Sequence, residues 1–199
     1  MKLPAMRTAI STAPAVEPVT VAETKQHLRI DHSDEDAHIG VLIQVARQHC
    51  EDVSRRSFVT RTYTGYLDCW PWDGWIELPY PPLIGVTSIT YFDEADAPTV
   101  FAAANYLVDN TRQPGRIVLR SNQAWPGDVL RVANGVQVIW TAGYGAAAAA
   151  TPARYRAAIL LMVGHLYENR EAVLAGQGVS QAALPLGVDA LLLTDRGMW

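Results

Sequence analysis

From Ile39 onward the chain alternates apolar and polar positions in steps of three and four. Ile39, Leu42, Val45, Ala46, His49, Cys50 and Val53 fall on one face of a helix. The segment Asp31-His32-Ser33-Asp34-Glu35-Asp36 reads as the turn before it. Ser33 or Asp34 is placed to cap the helix, and the acidic first turn suits the positive end of its dipole. Arg55-Arg56 closes it at the negative end. Earlier still, Thr20-Val21-Ala22-Glu23 is a capping box that starts a short helix ending near Leu28 or Arg29.

The period changes at about Thr60. Thr62–Leu67, Trp75–Leu78, Val86–Phe92, Tyr106–Val108, Arg116–Leu119 and Val136–Trp140 read as strands, with Asp93 to Asp96 as a turn. Five to seven strands are expected. The Ala146–Ala150 run is of low complexity and reads as a linker or a lead-in to the next helix. Helical spacing returns at Thr151, placed as an N-cap, with Pro152 at the first helical position. An apolar run from Ala157 to Val163 follows. The helix turns polar at His165 and ends in Tyr167-Glu168-Asn169-Arg170-Glu171, with Gly176 and Gly178 as stop signals. Beyond it, Leu184-Pro185-Leu186, Leu191-Leu192-Leu193 and Met198-Trp199 read as an extended apolar tail that needs another surface to bury it.

The pattern predicts an α+β fold. A small helical bundle, with two N-terminal helices and one long C-terminal helix, carries an inserted, mostly antiparallel β domain and an extended C-terminal tail. The expected divisions are a flexible leader over 1–18, N-terminal helices over 19–59, the β insertion over 60–145, the core helix over 146–176 and the tail over 177–199. A chain of 199 residues, 49% apolar, can build this core. Its apolar runs fall far short of the roughly 18 residues of a membrane span. The leader, with Lys2 and Arg7 but no sustained apolar stretch, does not read as a signal peptide. Cys50 and Cys69 make no disulfide framework, and Cys50 reads as a small buried residue. That fits synthesis in a reducing cytoplasm.

Net charge is −4. Residues 1–57 carry 7 basic and 8 acidic side chains, residues 58–145 carry 5 and 8, and residues 146–199 carry 4 and 4. No region is basic, which disfavours tight binding of nucleic acid.

Each candidate for chemistry has a plainer reading. Asp31, His32, Asp34, Glu35, Asp36 and His38 could suggest a metal site, but His32 and His38 span a turn and are not spaced as a helical ligand pair. Gly143-Tyr144-Gly145 resembles part of a dinucleotide loop but lacks the βαβ context and the acidic residue on a second strand. Trp70, Trp72 and Trp75 could stack on sugars, giving a carbohydrate-binding β module as the alternative function. Pro71 and Asp73-Gly74 favour a turn whose rings pack inward. His165 and Glu168 are a weak hydrolase pair. There is no nucleophile elbow, Walker loop, zincin helix or paired-Cys zinc pattern. Neither an enzyme nor a cofactor is expected.

The ordered set of motifs resembles the head–tail connector, or adaptor, proteins of tailed phages and related gene-transfer particles. It comprises Val21–Ile30, Asp34–Ile39, Leu78–Leu83 with Val86–Tyr91, Tyr106–Asp109, Thr141–Gly145, Pro152 with its apolar helix, Tyr167–Glu171 and Leu184–Val188. The resemblance implies a structural virion protein of the particle neck, made in the host cytoplasm. It implies a homo-oligomeric ring of about twelve subunits under the portal protein, a further tail or stopper protein as neighbour, and double-stranded DNA passing through without specific binding. It brings no catalytic residues. On this reading Leu184, Leu186, Leu191, Leu192, Leu193 and Trp199 dock the tail on the portal. Ile159, Leu160, Met162, Val163, Leu166, Tyr167 and Arg170 form the subunit core and ring contact.

Overall fold

The computed structural model describes residues 6–169 and 186–193, and these divide into two compact units. The fold is α+β, with four α-helices and antiparallel sheets among the described residues. The first unit takes residues 6–15 and Thr60–Gly143; the second takes Val16–Val59 and the described residues from Tyr144 on.

The first unit is all β. Its strands are β1 (Arg7–Ile10), β2 (Arg61–Leu67), β3 (Trp75–Leu78), β4 (Leu83–Phe92), β5 (Pro98–Val100), β6 (Tyr106–Asp109), β7 (Gly115–Leu119) and β8 (Val136–Ala142). They form a five-stranded sheet in the order β1-β2-β8-β4-β5 and a three-stranded sheet in the order β3-β7-β6. β8 sits at the centre of the larger sheet, and its buried residues alternate: Val136, Val138, Trp140 and Ala142. That period of two is what the strand geometry demands of a half-buried ladder. Ile76, Leu78 and Ile117 of the smaller sheet join Tyr63, Ile89 and Trp140 of the larger one in a single core. Tyr63 stacks between Tyr80 at 4.9 Å and Trp140 at 5.5 Å.

β1 lies inside the stretch expected to be a flexible leader. It pairs antiparallel with β2, Arg7 opposite Tyr66 and Ile10 opposite Tyr63. Its side chains are mostly exposed, so no apolar alternation announced it. The backbone ladder, which sequence periodicity does not report, holds it. β5 escaped notice for the same reason: all three of its residues are exposed.

The second unit is helical: α1 (Val21–Leu28), α2 (Asp36–Ser54), α3 (Ala153–Glu168) and α4 (Leu186–Leu193). The capping box is present in full. The Glu23 N–H donates to the Thr20 hydroxyl, and the Thr20 N–H donates to the Glu23 carboxylate at 2.8 Å. Arg29 and Arg55 end α1 and α2 in the left-handed conformation. α2 starts from Glu35 without a side-chain cap, so neither Ser33 nor Asp34 caps it. α3 starts one residue later than expected, from Pro152. The Thr151 hydroxyl donates instead to the Phe58 carbonyl at 3.1 Å.

Leu186–Leu193 is helical, where an extended tail was expected. Val188 and Leu192, one turn apart, are fully buried in the helical core with Ile39, Ile43, Tyr155 and Ile159. An apolar pair at i, i+4 gives a short helix a face to bury, and α3 and α2 are there to bury it.

Candidate interaction surfaces

α2 buries Ile39, Ile43, Ala46, Arg47, Cys50, Glu51 and Ser54. The expected face was rotated from this one, because Val45 is 45% exposed whereas two charged residues point inward. Those charges are satisfied. Arg47 Nε donates to Glu17 at 2.7 Å and its Nη1 to Glu51 at 2.8 Å. The other Glu51 oxygen accepts the Phe58 N–H at 2.9 Å. The Ser54 hydroxyl donates to the Cys50 carbonyl at 2.7 Å. Burial works against the Arg47 charge, but its two carboxylate partners outweigh burial and push its pKa up. Burial first, and the Glu51 charge second, push the Cys50 thiol up to about 12.

A second polar layer ties the ends of the unit together. Arg156 donates to the Pro18 carbonyl at 3.1 Å and to Glu23, and Tyr167 donates to Glu35. The Thr20 backbone N–H, ahead of the Thr20 hydroxyl and Arg156, holds the Glu23 carboxyl below the usual carboxylate range. Phe58 stacks on Tyr155 at 4.5 Å, and burial followed by the Tyr144 hydroxyl raises the Tyr155 pKa. These groups make a framework with no nucleophile–base pair in it.

The residues expected to form the core and ring contact divide. Ile159, Met162 and Val163 are buried in their own unit; Leu160, Leu166 and Tyr167 are half-buried against the same core. Arg170 lies outside the described residues. Of the expected docking tail, Leu192 is buried in the chain's own core and Leu191 packs beside it. Leu186 and Leu193 are the ends of α4, and Leu184 and Trp199 lie outside the described residues. The side chain missed by sequence reading is Leu161, 39% exposed on α3. Its position, opposite the buried Ile159 and Val163 stripe, was hidden inside an unbroken apolar run.

The remaining candidates settle into structure. Trp70 stacks on Trp125 at 4.7 Å and packs against Tyr91 and Phe101, while Trp72 is 71% exposed. Trp70, Trp72 and Trp75 therefore do not present one flat row of open rings. Gly143 takes a positive φ of 134° and donates its N–H to the Pro82 carbonyl at 2.9 Å, a glycine turn leaving β8. Among the described residues no group of three His, Cys, Asp or Glu side chains could hold a metal ion. No described helix is long and apolar enough to cross a membrane.

Residues 18–80, spanning α1 to β3, match the model of the phage gp6-like head–tail connector protein family. That match bears out the connector resemblance read from the motifs, and three solved structures are similar to the chain over nearly its whole length. One is a chain of the virion of a native gene transfer agent particle, 26% identical, with a TM-score of 0.77, covering 95% of this chain and 94% of that one. A second comes from the neck of an empty gene transfer agent particle computed with C6 symmetry. It is 26% identical with a TM-score of 0.76, over 96% and 95% of the two chains. A third comes from the neck of a native particle computed with C12 symmetry, 27% identical with a TM-score of 0.74, over 96% and 94%. No curated protein matches the chain in sequence.

Proposed function

We propose that this protein is a structural component of a particle neck, a head–tail connector whose copies form a ring under the portal and join the DNA-filled head to the tail. The observation that carries the reading is a fold shared, over about 95% of the chain, with chains of gene transfer agent particles, two of them from necks computed with six- and twelve-fold symmetry. The match of 18–80 to the connector family supports the same role. Its work on this reading is assembly, with no reaction catalysed.

DNA passes through the ring without being held. The absence of a basic region suits that, because each added phosphate contact would slow sliding. The C-terminal segment docks on the portal. Within it Val188 and Leu192 anchor α4 to the helical core, so on this reading the docking falls to the rest of the segment. The protein is made in the host cytoplasm and resides in the virion neck, with a tail or stopper protein below it.

Deleting the chain from the particle that carries it tests the role. The expected result is filled heads without attached tails, restored by supplying the protein in trans. Complete, infectious or transducing particles in its absence would overturn the reading.

A further inference from the structure

Two helices of the second unit each carry an outward stripe with the same spacing. On α2 the stripe is His38, Val41, Val45, Gln48 and Asp52, every one of them exposed. On α3 it is Arg154, Ala157, Leu161, Gly164 and Glu168, each exposed or half-buried, with the Arg154 guanidinium lying over the Tyr155 ring at 4.7 Å and donating to its hydroxyl at 3.0 Å. Both run in steps of three, four, three and four, the seam spacing of helices that pack side by side. Val41 is 56% exposed and Val45 45%; Leu161 is 39% exposed. Between their end residues neither stripe carries an acidic or basic side chain, the depletion that marks the centre of an interface.

We infer that the α2 stripe of one copy packs antiparallel on the α3 stripe of the next, with Val45 against Leu161. This deepens the ring reading and rests on it. The two stripes are different patches of the same unit, as a head-to-tail contact requires. Charge sets the direction. Val45 lies seven residues from both His38 and Asp52, and Leu161 lies seven from both Arg154 and Glu168. Each interval is about 10.5 Å along a helix. Antiparallel packing therefore sets Asp52 against Arg154 and His38 against Glu168. Parallel packing would set Asp52 against Glu168 and His38 against Arg154, like against like at one end. The antiparallel alignment also brings the larger Gln48 over the smaller, exposed Ala157. Gly164 is bordered by the end of α1: a Cβ there would lie 3.7 Å from His27 Nε2. Leu161 in turn borders α4, where a Cβ on Gly187 would lie 3.8 Å from its Cδ1, so a neighbouring helix meets α3 between α1 and α4.

Sedimentation velocity on the full chain tests this, with the wild type compared against Val45→Lys, Leu161→Glu and the double variant. Val45 is exposed, so Val45→Lys should keep the wild-type circular dichroism and melting temperature; Leu161 also borders Gly187 of α4, so Leu161→Glu is read through its rescue in the double variant. Each single variant should weaken self-association at least tenfold. The double variant should recover it, since the introduced ammonium on α2 of one copy meets the introduced carboxylate on α3 of the next. A second measurement uses a Cys69→Ser background, in which Val45→Cys mixed with Leu161→Cys should form a disulfide-linked pair under mild oxidation, whereas Val45→Cys with Val16→Cys should not. If the wild type assembles but the single variants assemble equally well and the cross-link is absent, the stripe assignment is overturned and the ring stands. A wild type that never self-associates, alone or with its neck partners, overturns both.

Discussion

Glu51 and Phe58 are joined by a 2.9 Å hydrogen bond from the Phe58 N–H to the Glu51 carboxylate. The same carboxylate accepts from Arg47, which in turn donates to Glu17. One buried acid thus fixes α2, the segment that leaves it and the residues that precede α1. Replacing Glu51 with Ala leaves a buried N–H without its acceptor and removes half of Arg47's compensation. The expected loss is about 3 kcal/mol of unfolding free energy, measured by urea denaturation. A change below about 0.5 kcal/mol would show that the network carries no stability.

Leu192→Ala should cost about 2–5 kcal/mol, the range for emptying a buried leucine site. An extended tail waiting for a partner would lose nothing in the isolated chain. The denaturation midpoint of the free protein therefore separates a helix docked in its own core from an undocked tail.

The two cysteines should differ sharply towards a thiol reagent. Cys69 is exposed, whereas Cys50 is fully buried with its pKa pushed up to about 12. Native protein at pH 8 should take up one equivalent of alkylating agent, and denatured protein two. Fast labelling of both in the native state would contradict the packing of α2.

Glu23 gives a pH dependence with a definite sign. Its folded pKa lies below the ordinary value of 4.5, chiefly through the Thr20 N–H. Its contribution is therefore present above the unfolded pKa and is lost as pH falls from about 4.5 through the lower folded value. Stability measured from pH 7 down to pH 3 should fall less steeply in Glu23→Gln than in the wild type. Parallel curves for the two proteins would remove Glu23 from the acid transition.

Much of the fold was legible because it rests on local chemistry. The Thr20–Glu23 capping box, the length of α2 and the alternation of β8 each follow from residue type and spacing. The failures share a cause in long-range satisfaction. Arg47 and Glu51 are buried because Glu17 and Phe58 supply partners from elsewhere in the chain, so hydropathy found Ile39, Ala46 and Cys50 of the α2 face but took in Val45 and left out the two charges. β1 is held by backbone pairing to β2 and carries no buried alternation. At α4 the i, i+4 pair Val188 and Leu192 was present in the sequence, but Pro185 and the leucine runs around it read as an extended tail. The surface stripes were not legible: Val45 was assigned to the core, and Leu161 was lost within the apolar run of α3.

The measurement closest to the central claim is a cryo-electron microscopy reconstruction of the neck of particles that carry this protein. The account predicts a closed ring of its copies between portal and tail, with a helical unit and a β unit recognisable in each copy and an open central channel. Particles whose neck is complete without density for this chain would contradict it.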